Sequence, residues 1–176
     1  GNPYASTIKI EELLNLNPDV NSLYFWTHNY PVGSAQYSDN YAAYTRAGSV
    51  LNPTLNNIQK GQGFIVQVNS NSTKVTFNNT LREGASAAFF RSQPSEKHRI
   101  WLSLNQNENK LSQTLVAYLD GATNDVDFQI DAKVLETSAN SFYNVINEEA
   151  YAIQGRPFPF TTEDEVDYVI KKVPEI

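Results

Sequence analysis

Asp120, Asn124, Asp125, Asp127 and Asp131 crowd five oxygen-bearing side chains into one short stretch. Such density suits a hard cation. Calcium takes about six to eight oxygen ligands, mostly carboxylates and carbonyls from a flexible loop, so these residues are the metal candidates and calcium the cation they would hold. The run lacks EF-hand spacing and its closing glutamate, and Asp and Asn in loops also make plain turns. Both readings stand on the sequence. A second set, Tyr24, Trp26, Tyr30, Tyr37, Tyr41 and Tyr44, offers rings on which a sugar could stack while neighbouring amides bond its hydroxyls. Trp26, Tyr30, Tyr37 and Tyr41 are the candidate glycan-binding residues. The competing reading places alternate members in a core with tyrosine hydroxyls reaching the surface. The two differ in whether Trp26, Tyr30 and Tyr37 share one exposed platform.

Catalytic constellations do not assemble in the sequence. There is no cysteine, so thiol nucleophiles, zinc-thiolate sites and disulfides are excluded together. His28 and His98 are the only histidines, and no Gly-x-Ser-x-Gly elbow accompanies them. Glu148/Glu149 and Asp164/Glu165 are chain neighbours, whereas a glycosidase needs two carboxyls about 5 to 9 Å apart across a cleft. Gly61-Gln62-Gly63 leads into a strand pattern with no Lys-Ser/Thr behind it, so it reads as a tight turn and not a phosphate cradle. Asn71-Ser72-Thr73 and Asn78-Asn79-Thr80 match the glycosylation pattern, a short motif that alone assigns no modification. No catalytic residue is assigned. The net charge of −6, with Lys171-Lys172 as the only adjacent basic pair, removes nucleic acid as a partner. No apolar run reaches the roughly 18 residues of a membrane span.

These side chains must be positioned by strands. A hydrophobic fraction of 40% with 12% aromatics is too apolar for disorder, and 176 residues suit one domain covering the whole chain. Ser6 to Leu14 reads as one short N-terminal helix, with acids before leucines. Leu23–Trp26 and Tyr41–Thr45 read as strands, and Phe64–Val68 with Lys74–Phe77 as a hairpin across an Asn/Ser turn. Arg99–Leu104 and Thr114–Leu119 form a second hairpin, with Ile100, Leu102 and Leu104 on one side and Trp101 and Ser103 on the other. Phe142–Val145, as a short strand or a turn, and Tyr151–Gln154 and Val166–Ile170, as strands, complete the set. Short strands between turn signals predict an all-β fold, a β-sandwich or jelly-roll-like arrangement of antiparallel strands with one short N-terminal helix.

Laid in order, several segments resemble a β-rich domain of exported Bacteroidota proteins that stands just before the C-terminal sorting signal of the type IX secretion system. Gly1-Asn2-Pro3-Tyr4-Ala5-Ser6 resembles the family's Gly-Asn-Pro-Tyr-Pro-Ser turn, with Ala5 for the usual proline. Tyr24-Phe25-Trp26 with Tyr41-Ala42-Ala43-Tyr44, and Gly61-Gln62-Gly63-Phe64-Ile65-Val66 before Val75-Thr76-Phe77-Asn78-Asn79 and Arg82, are similar to its next segments. Phe89-Phe90-Arg91, Arg99-Ile100-Trp101-Leu102, and Tyr151 to Arg156 with Pro159-Phe160 follow in the same order. The resemblance implies a secreted or cell-surface protein and no catalytic residue. Family members begin one strand earlier and continue past the Pro-Phe segment, so on this resemblance the chain is a piece of a larger exported protein whose export signal lies outside it. The function expected is a non-catalytic structural or interaction module of adhesion type, with a carbohydrate-binding module as the alternative. Its partners would be a surface glycan or protein and the rest of its own polypeptide.

Overall fold

The computed structural model describes residues 1–27, 41–52, 55–70, 74–82, 98–106, 109–135 and 141–171. His28, Tyr30, Tyr37, Asn71-Ser72-Thr73 and Phe89-Phe90-Arg91 lie outside these residues. The chain opens on a two-residue strand, β1 (Ile8–Lys9), and then the helix α1 (Ile10–Leu16). The helix buries Ile10, Leu13 and Leu14, the i, i+3, i+4 spacing of one apolar stripe. Glu11 and Glu12 sit in its first turn, where their charge favours the exposed N–H groups. It begins later than the sequence predicts, because Ile8 and Lys9 pair with β5 (Asn57–Ile58).

A four-stranded sheet follows, ordered β4 (Gly48–Ser49), β3 (Tyr41–Thr45), β2 (Val20–Trp26) and β6 (Ile65–Val68). Alternation along β2 and β3 sends Leu23, Phe25 and Ala42 under the helix and Tyr24 and Ala43 to the opposite face. The expected hairpin of Lys74–Phe77 with β6 does not form, since β6 pairs with β2 and residues 74–78 are not strand. Val75 and Phe77 still pack on the helix-side core, so their apolar alternation records burial without a ladder. The side chain of Asn17 takes the ladder's place. Its Oδ1 accepts from Thr76 N at 2.6 Å and its Nδ2 donates to Thr76 O at 3.0 Å.

The larger sheet is built from β7 (His98–Gln106), β8 (Asn109–Leu119), β9 (Ala132–Lys133), β10 (Ser141–Ile146), β11 (Glu149–Pro157) and β12 (Tyr168–Lys171). β7 and β8 form the predicted hairpin. β8 and β11 run parallel, the one departure among the described pairings from the antiparallel expectation. Tyr151 lies opposite both Asn144 and Lys133, and Ile153 opposite both Leu115 and Ala132. A strand residue has one neighbour on each edge, so β9 occupies one edge of β11 while β10 and β8 share the other. β10 is thus wedged into a fork between β8 and β11. Ser112 Oγ donates to Phe142 O and accepts from Phe142 N, Thr114 Oγ1 donates to Ala152 O, and Asn144 Nδ2 donates to Leu115 O. These side chains supply bonds where the strand backbones part.

Tyr24, Ala43, Ala47 and Val50 of the smaller sheet meet Leu115, Ala117, Ala132 and Ile153 of the larger one, forming the core of a sandwich-like all-β fold. Trp101 packs at its margin, with Nε1 donating to Ser49 O at 3.0 Å. β10 and β11 are joined by Asn147 and Glu148, at φ +50° and +67°. Two central residues of positive φ are what a two-residue type I′ hairpin requires, and its second position favours glycine. Glu148→Gly is expected to raise stability in urea by about 0.5 to 1 kcal/mol, because a left-handed glutamate is strained by roughly that amount; unchanged or lowered stability would show that the turn is not strained.

Candidate functional site

The acidic stretch does not converge. Asp120, Asn124 and Asp125 are exposed, whereas Asp131 is 1% exposed. Asp127 accepts from the N–H and hydroxyl of Thr123, closing a local turn. Asp131 accepts from Asp127 N and, across the chain, from Gly155 N in β11, each at 2.6 Å. Among the described residues no three acids or histidines are grouped to hold a metal ion. The two inner carboxylates already serve as backbone acceptors. The Asp131 carboxyl stands at about 6, because burial raises it by more than the two N–H bonds pull it down and the charge of Asp127 adds to the rise. Gly155 is required beside it, since a Cβ there would lie 2.2 Å from the Cγ2 methyl of Ile130.

The aromatic set divides between core and margin. Tyr24 is buried, its hydroxyl donating to Lys133 O at 2.8 Å, and Tyr44 packs on the helix-side core. Trp26 and Tyr41 are half-buried and meet edge to face, with ring centres 5.0 Å apart. Trp26 also borders a hollow of about 240 Å³ with Phe25, Thr27, Asn52 and Gln62. Gln62 Oε1 is already taken by Gln59 N. Tyr30 and Tyr37, the other two candidates, fall outside the described residues, so a four-ring platform is not drawn from them.

A different surface stands out on the outer face of the larger sheet. Leu115, Ala117 and Ile153 point into the sandwich, so Val116, Tyr118, Gln154 and Arg156 point away from it. His98 pairs with Tyr118, and after β11 the chain lays Phe158 on the His98 ring at 4.5 Å and Phe160 against Tyr118 at 5.4 Å. Phe142 contacts Tyr168 and lies opposite Ile170. Tyr168 belongs to the same patch: burial raises its hydroxyl pKa, Tyr118 raises it further and Arg156 lowers it. Phe160 is 62% and Ile170 61% exposed. Beneath these rings Asn144 Oδ1, Gln154 Oε1 and Arg156 Nε are buried with no hydrogen-bond partner. Each such atom costs about 1 to 3 kcal/mol, and native proteins hold few of them. Among the described residues Arg156 pairs with Asp164, at 3.8 Å.

Sequence reasoning missed this face because its members come from five strands and a connecting segment. The signal present was the polar pair Gln154 and Arg156 alternating inside an apolar strand, followed closely by Phe158 and Phe160.

Residues 1–173 match the family described as Domain of unknown function (DUF8693). No curated protein and no solved structure matches the chain.

The buried carboxyl sets a pH dependence with a definite sign. The folded pKa of Asp131, about 6, lies above its ordinary 3.8, so the fold favours the protonated form, and stability from this group falls as pH rises through that window. The stability of the native chain relative to Asp131→Asn should decline by roughly 2 kcal/mol between pH 4 and 6.5 and stay nearly level above it. Urea titrations across that range check this; a constant difference would mean the carboxyl is not shifted.

Proposed function

The chain belongs to the DUF8693 family, and we propose that it is a non-catalytic interaction module of an exported, surface-exposed bacterial protein, which meets its partner through the outer face of the larger sheet. The observation that carries this reading is the gathering of Phe158, Phe160, Tyr168, Ile170 and Ile100 on that face, all substantially exposed. Folded domains bury large apolar side chains where they can, and a contiguous exposed group marks an interaction surface. The aromatic enrichment also fits, since rings supply contact area with few rotors to freeze. Its location outside the cell rests on the ordered resemblance along the chain, from the Gly1-Asn2-Pro3-Tyr4 turn to the Pro159-Phe160 segment. The partner is then a surface glycan, a surface protein or a neighbouring part of the parent polypeptide.

The test is direct binding of the purified chain, by biolayer interferometry, to immobilised fibronectin, collagen, mucin and a set of purified polysaccharides. At least one should bind, and Phe160→Ser with Ile170→Ser should weaken that binding tenfold or more. Both side chains are largely exposed, so the melting temperature should hold within a few degrees. If nothing binds, or binding survives both replacements, the outer face is not the interaction surface.

A further inference from the structure

The hollow beside Trp26 has a volume of about 240 Å³. That is far above the roughly 30 Å³ of one water and below the range of about 300 to 1,000 Å³ of drug-sized pockets, so it suits a single ring. Trp26, Leu51 and Leu55 line it beside Thr27, Asn52 and Gln62, and none of the described residues around it is ionisable. An ion drawn out of water there would meet no counter-charge, so the hollow favours a neutral ligand.

Its walls are held in place before any ligand arrives. Gln62 N donates to Gln59 O, Gln62 O accepts from Asn2 N, and Gln62 Oε1 accepts from Gln59 N at 2.8 Å. The last bond fixes the amide, so Nε2 is the donor left over, and it is neither paired nor enclosed. Across the hollow, Leu51 is kept at φ +62°, a left-handed conformation costly for a bulky side chain. Its N–H donates to Gln113 Oε1 at 2.8 Å, and Gln113 Nε2 donates in turn to Ser103 Oγ. Asn52 O accepts from Ser49 Oγ and Leu55 N, which fixes the next turn. Strained backbone persists where its surroundings over-determine it, and it gathers at ligand clamps.

We infer that this hollow binds one neutral sugar ring, with a C–H face of the ring on the Trp26 indole and a ring hydroxyl accepting from Gln62 Nε2. The edge-to-face contact with Tyr41 orients the indole. A purely apolar ring would strip water from Thr27, Asn52 and Gln62 and return no hydrogen bond. A sugar carries hydroxyls around its rim and C–H groups on its faces, so it answers both kinds of wall. The site lies at the margin of the smaller sheet and is independent of the outer face of the larger one.

Two tryptophans make a local test possible. In heteronuclear NMR spectra of the full chain, titrated with methyl glycosides of glucose, mannose, galactose and N-acetylglucosamine, at least one sugar should move the Trp26 indole N–H signal and leave that of Trp101 in place. Glucuronate serves as the anionic comparison and a proline-rich peptide as the other neutral ligand. Gln62→Leu removes the donor and passes the N–H of the exposed Gln59 to water, so the melting temperature should hold within a few degrees while binding weakens about fivefold or more. Trp26→Leu should abolish binding. The inference is overturned if no sugar moves the Trp26 signal, if glucuronate or the peptide moves it where no neutral sugar does, or if sugar binding survives Gln62→Leu at full strength.

Discussion

The buried carboxylate of Asp131 is the joint on which the two sheets depend. One oxygen takes the N–H of Gly155 in β11 and the other takes Asp127 N, while its own carbonyl accepts from Asn21 Nδ2 in β2. Around it, Gln129 N donates to Asn21 Oδ1, Thr45 Oγ1 donates to Ile130 O, and Arg46 N donates to Gln129 O. Residues 129–131 are therefore bonded to β2, to the β3–β4 connection and to β11 together. Gln129 adopts a left-handed φ of +67°, a conformation that persists only where surrounding bonds over-determine it. The carboxyl is held at an electrostatic disadvantage near neutral pH, but truncating it would leave two backbone donors without acceptors in the interior.

That joint also fixes the strand order of the larger sheet. With β9 seated on one edge of β11, the opposite edge is shared by β10 and β8, and a fork results. Ser112, Thr114 and Asn144 answer the backbone groups left at the fork. Asn144 can do so with its amide nitrogen only, which leaves its oxygen without a partner. The polar floor of the outer face is in this sense a by-product of how the strands part, and the rings of Phe158, Phe160 and Tyr168 gather around it because β11 and the segment after it run over that same face.

Legibility followed the range of the interaction. The all-β class, the short helix, the β7–β8 hairpin and the strands around Tyr24, Tyr41 and Ile153 were readable, since each rests on alternation or helical spacing within a few residues. The Lys74–Phe77 hairpin was misread because alternation reports burial of Val75 and Phe77 and says nothing of the partner, which proved to be the Asn17 side chain. The β10–β11 turn was hidden because Asn147-Glu148 lacks the glycine that usually marks it. Asp131 was noticed as one of several crowded oxygens, yet its role as a buried acceptor depends on Gly155, twenty-four residues away.

By itself the sequence determined the fold class, the absence of cysteine, a net charge of −6, and the ordered segments that resemble exported domains. Only the tertiary structure decided that β8 and β11 lie parallel, that the acidic stretch closes turns and braces a strand, and that Asn144, Gln154 and Arg156 share one face with Phe160 and Tyr168. The division has a physical cause. Side-chain periodicity is written locally along the chain, whereas the identity of a strand's neighbour, and so the chemistry assembled across a sheet, is set by which buried polar groups find partners when distant segments meet.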